Sequence, residues 1–64
     1  MNAEQRIRVL NLLKKNQGLL SKSDVLHDCG ICSRDCKQED LDFLSAEGVQ
    51  FEKIKNMNYW RYSQ

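Results

Sequence analysis

The 64-residue chain has no proline, only three glycines and a single histidine. It also has no uninterrupted apolar run near the roughly 18 residues that a membrane span needs. Each absence excludes something. No Pro-, Gly- or Ser-rich stretch is present to form a linker, and no segment repeats, so a chain this short is one domain, residues 1–64. No glycine-rich loop is available to cradle a phosphate. His27 has no serine or cysteine neighbour placed to make a nucleophile–base pair with an orienting acid. The carboxylates Glu39, Asp40 and Asp42 fall on different helical faces, which suggests solvation or a partner surface rather than a catalytic pair. The expectation is a protein that is not an enzyme and needs no cofactor. Met1 to Arg6 leads into an amphipathic stretch rather than an apolar one, so a cytoplasmic protein without membrane contact is expected.

Excess charge is also lacking: the formal net charge is +1. Its distribution is uneven. Residues 1–21 carry Arg6, Arg8, Lys14 and Lys15 against Glu4, a net +3. Residues 22–48 carry Lys22, Arg34 and Lys37 against seven acids, a net −4, and residues 49–64 return to +2 through Lys53, Lys55 and Arg61 against Glu52. A nucleic-acid surface must oppose the phosphate field, and the acidic middle works against that.

What is present is punctuation. Gly18, Gly30 and Gly48 divide the chain into three helix-like blocks and a closing aromatic hairpin. Ile7, Val9, Leu10, Leu12 and Leu13 mark one face of a helix over residues 3–16, with Arg6, Asn11, Lys14 and Lys15 left to solvent. Leu19–Leu20 reads as a short extended segment. Ser21 and Ser23 are N-cap residues, and Asp24 approximates a capping box with Ser21. The short helix that follows buries Val25, Leu26 and Cys29 and stops at Gly30. Ser33 caps a third helix running to about Ala46, with Cys36, Asp40, Phe43, Leu44 and Glu47 on a stripe that its acids leave partly buried. Val49 and Phe51 alternate with polar residues as a strand, Asn56–Met57–Asn58 forms a turn, and Tyr59–Tyr62 forms a second strand. Alternation places Trp60 in the core and leaves Tyr59 available for a contact.

Four stretches carry a resemblance: Leu12–Gly18 at the first helix end, Ser21–Leu26, Leu44–Gly48, and Tyr59–Tyr62. In this order the chain resembles the small winged helix-turn-helix regulators of bacterial operons, such as the PapI/FaeA-like proteins or the N-terminal domain of DeoR-like repressors. The resemblance implies a mainly α fold with a small antiparallel β-sheet, in the order α-β-α-α-β-β. It implies sequence-specific binding of double-stranded DNA by a transcriptional regulator, with a recognition helix at about 33–46 in the major groove and a wing at about 53–61 on the backbone. Arg34, Lys37 and Gln38 are then the base-reading candidates, and Ser33 a phosphate contact. Lys53, Lys55, Asn56, Asn58 and Arg61 are the wing candidates. One reading head covers few base pairs, so a homodimer or a protein partner is expected to supply site-level specificity. The alternative is a winged helix that binds protein, its acidic face engaging a component of a transcription or replication machine.

Cys29, Cys32 and Cys36 form a C-x2-C-x3-C pattern, with His27 just before it. Thiolates and imidazole are ligands for zinc, and thiolates for iron–sulfur clusters. A zinc site, however, pairs two ligand couples separated by a dozen or so residues, and no second couple exists. Cys29 and Cys36 are instead expected as small buried hydrophobes and Cys32 as a turn residue.

Overall fold

The computed structural model describes residues 1–63. Its first helix, α1 (Ala3–Lys15), begins one residue after Asn2, whose side-chain oxygen accepts the Gln5 N–H at 2.7 Å. Gln5 returns the bond, its Oε1 accepting the Asn2 N–H at 2.9 Å. Two amide donors that a helix start leaves orphaned are thus satisfied. Val9, Leu10 and Leu13 are buried, while Ile7, expected on the same face, is exposed.

Strand β1 (Leu20–Ser21) follows one residue later than the expected Leu19–Leu20. Helix α2 (Lys22–Asp28) starts after Ser21, but the Ser21 hydroxyl makes no capping bond. Its other end is closed more completely. The Gly30 N–H reaches the His27 carbonyl at 3.0 Å and the Ile31 N–H reaches Leu26 at 2.8 Å. That pair of bonds requires a left-handed residue, and Gly30 has φ +70°. Arg8 of α1 adds a hydrogen bond to the Cys29 carbonyl at 2.9 Å, tying α1 to the end of α2.

The expected helix over 33–46 is broken in two. Ser33–Asp35 is one 3₁₀ turn, Cys36 and Lys37 are extended, and helix α3 occupies Gln38–Ala46. The break has a physical cause. Lys37 has no side-chain acceptor with which to cap a helix, yet its backbone N–H donates to Asp40 Oδ2 at 2.9 Å. This return bond fixes Lys37 as the residue before the helix, so Ser33 does not cap α3.

Strands β2 (Val49–Ile54) and β3 (Met57–Tyr62) form an antiparallel hairpin, and β1 pairs with the other side of β3. The sheet order is β1-β3-β2. Ile54 pairs with Met57, so the loop is only Lys55–Asn56, one residue earlier than expected. Both loop residues have positive φ, +50° and +66°, the backbone of a type I′ turn.

The core joins Val9, Leu10 and Leu13 of α1 to Val25, Leu26, Cys29 and Ile31, with Leu44, Val49 and Trp60 closing the far side. Trp60 is 2% exposed, as the alternation of β3 predicts, and Phe51 meets its ring edge-on at 5.7 Å. The molecule is thus a small α/β domain of three α-helices and a three-stranded antiparallel sheet, compatible with a winged-helix layout.

Candidate nucleic-acid interface

The expected contact residues sit on three pieces of structure. Ser33 and Arg34 lie in the 3₁₀ turn, Lys37 is the residue before α3, and Gln38 is the first residue within it. All four are exposed. They form an exposed connection rather than the first two turns of a helix. The exposed side of α3 itself carries Glu39, Asp42 and Ser45, and the Gln38 amide nitrogen donates to Asp42 Oδ1 at 3.0 Å. Any donor set for an anion is therefore built on the Arg34 and Lys37 side chains, not on the face of α3, and the Asp35, Cys36 and Lys37 N–H groups are already bonded to Cys32, Ser33 and Asp40.

The hairpin splits its candidates by strand parity. Lys53 and Asn58 are cross-strand partners and share the face that Phe51 and Trp60 present to the core. Lys55 and Asn56 form the tip. Arg61 lies on the opposite face and pairs with Glu52 at 3.2 Å, so its charge is half neutralised within the sheet. Lys53 and Lys55 make no salt bridge among the described residues. The tip and the Lys53–Asn58 pair form one unit; Arg61 does not belong to it.

Asp40 is the largest departure from the sequence reading. It was expected on the partly exposed edge of the α3 stripe, among carboxylates held by solvent. It is instead completely buried. Its Oδ2 accepts from the Met1 ammonium at 2.8 Å and from the Lys37 N–H, and its Oδ1 accepts from Arg6 Nε at 2.7 Å. Burial alone pushes the carboxyl up, but the bonds from Met1, Lys37 and Arg6 outweigh it and hold the pKa lowered to about 2. Arg6, expected in solvent, is half-buried and also lies 5.6 Å from the centre of the Phe43 ring. The Met1 ammonium donates a further bond to the Asp35 carbonyl at 2.8 Å. The start of α1 thereby pins both the 3₁₀ turn and the first turn of α3, which fixes the Ser33–Gln38 segment between them.

This placement changes the charge balance of the middle segment. Asp40 is neutralised inside the protein, and Asp24 and Asp28 line a groove beside α2. The exposed acids left beside Arg34 and Lys37 in the chain are Asp35, Glu39 and Asp42. A hint of the Asp40 role was present in the sequence: it lies four residues before the core residue Leu44, where a carboxylate faces inward and needs a cation.

The cysteine pattern is dispersed. Cys29 is buried in the core, Cys32 is exposed, and Cys36 is half-buried. Burial pushes the Cys29 and Cys36 thiols up from their ordinary value. His27 is exposed, and among the described residues no three His, Cys, Asp or Glu side chains are brought together in a way that could hold a metal ion. No described helix is long and apolar enough to cross a membrane. No protein-family model, curated protein or solved structure matches this chain.

Proposed function

We propose that this protein is a winged-helix domain that binds double-stranded DNA as a small, non-enzymatic transcriptional regulator in the cytoplasm. The observation that carries the reading is the pairing of two exposed cationic units on one small scaffold. One is the Ser33–Gln38 segment, locked at both ends through Met1 and Asp40; the other is the hairpin tip with Lys53 and Lys55. By residue type Arg34 suits a guanine edge and Gln38 an adenine edge once its amide leaves Asp42, and Lys37 and the tip lysines suit phosphates. The base-reading part is the connection into α3, because α3 itself exposes acids.

An amide NMR titration with a generic duplex of about 16 base pairs, one and a half helical turns, tests this at low salt. The expected shifts are confined to residues 33–38 and 53–58. With Lys37, Lys53 and Lys55 as phosphate contacts, the logarithm of affinity falls against the logarithm of salt with a slope of about −3. An unmoved spectrum, or shifts that ignore salt, sinks the proposal.

A second reading is favoured by one observation. Glu39 and Asp42 lie exposed on α3 with no cation paired to either among the described residues. On this reading α3 docks a basic protein of the transcription or replication machinery, and duplex leaves the 33–38 amides unmoved.

A further inference from the structure

A groove of about 710 Å³ opens beside β1, sharing only Met57 with the segments assigned to DNA. Its apolar wall includes Leu12, Leu19 and Met57, with Tyr59 at the side. Leu19 is 39% exposed and Met57 50% exposed, so apolar surface remains uncovered there. The lining also includes Asp24 and Asp28, which pair with no cation among the described residues. Asp28 is the last residue of α2, where the helix dipole disfavours a carboxylate. Its position therefore adds nothing to the stability of α2, and the groove presents an unanswered negative pole.

The matching chemistry is on the same chain. The hairpin tip exposes Ile54 and Met57, flanked by Lys53 and Lys55, both unpaired. Lys55 holds φ +50°, a conformation that asparagine or glycine adopts at lower cost. Met57 belongs to both features: it is part of the tip and it lines the groove. Groove and tip are therefore neighbours on one surface. A twofold arrangement in which each tip enters the other copy's groove closes on itself instead of growing into a filament.

We infer that a second copy of this chain occupies the groove, each hairpin tip setting its apolar residues against Leu19 and Met57 and its lysines against Asp24 and Asp28. An interface below about 1,200 Å² in total, or about 600 Å² a side, is about a seventh of the 4377 Å² surface, and contacts of that size are weak and reversible. This assignment does not rest on DNA binding. It has a consequence for it, because duplex and dimer compete for Lys53 and Lys55.

Sedimentation velocity of the full chain from about 10 μM to about 1 mM at low salt, the span over which weak contacts form, is the direct test. The sedimentation coefficient should rise toward that of a dimer, and concentration-dependent amide shifts should fall on residues 19–28 and 53–59. Two exposed double variants refine it: Lys53→Glu with Lys55→Glu, and Asp24→Lys with Asp28→Lys. Buried Trp60 emission verifies that each is folded. Each alone should stay monomeric, whereas their equimolar mixture restores opposite charges at both contacts and should dimerise at least as well as the original chain. A wild-type chain that stays monomeric throughout overturns the inference. So does self-association that neither variant weakens, which would place the interface elsewhere. A short Leu/Lys peptide that moves residues 19–28 of a strictly monomeric chain would assign the groove to a foreign segment instead.

Discussion

At the scale of single residues, Asp40 decides more than any other polar group. A buried carboxylate facing two cations is strongly destabilising to disrupt, because removing it leaves the Met1 ammonium and the Arg6 guanidinium without their anion. Asp40→Asn should cost about 3 kcal/mol, a large part of the total stability of a chain this size, as read by urea unfolding. The same group sets the acid limit. Its folded pKa lies near 2, below the ordinary 3.8, so its contribution is complete above about pH 4. It is then lost as pH falls through 2, about 2 kcal/mol in all. In Asp40→Asn that acid step should vanish from the curve of stability against pH; a step that persists would assign it to other carboxylates. None of this was legible from the helical pattern, which places Asp40 on a stripe but cannot reveal that Met1 and Arg6, more than thirty residues away, converge on it.

At the scale of elements, the sequence was most legible where one local signal sufficed. Gly30 and Gly48 end α2 and α3 as their positions predict, and the alternation of Tyr59–Tyr62 puts Trp60 inside. It was least legible where two signals competed. Ser33 is a good cap followed by a favourable Asp35, yet the Asp40–Lys37 bond starts the helix later. In the hairpin, Asn56–Met57–Asn58 looks like the turn because both asparagines tolerate left-handed backbone, but pairing Ile54 with Met57 centres it on Lys55–Asn56. A type I′ turn prefers Asn-Gly, so the pair of changes Lys55→Asn and Asn56→Gly should stabilise the domain by about 0.5–1 kcal/mol. Calorimetry should find a melting temperature higher by about 4 °C. A lower one would mean that Lys55 makes a contact the turn itself does not require.

At the scale of the whole molecule, the two candidate functions of the hairpin meet. The tip lysines serve either a phosphate or the carboxylates of a second copy, so added duplex should reverse the concentration-dependent amide shifts of residues 19–28 in a concentrated sample. What sets the molecule's shape, however, is the sheet order. β3, the last strand in sequence, lies in the centre, and both β1 and β2 hydrogen-bond only to it. It also brings Trp60 to the core. Synthesis runs from the first residue onward, so β1, β2 and all three helices exist before the strand that joins them. Until Met57–Tyr62 has left the ribosome, two strands have no neighbour and the helices lack their largest core side chain. Assembly is thus withheld until β3 has emerged, and a nascent chain stalled before Met57–Tyr62 clears the ribosome should be digested by protease, while one tethered through an added linker long enough to expose β3 resists.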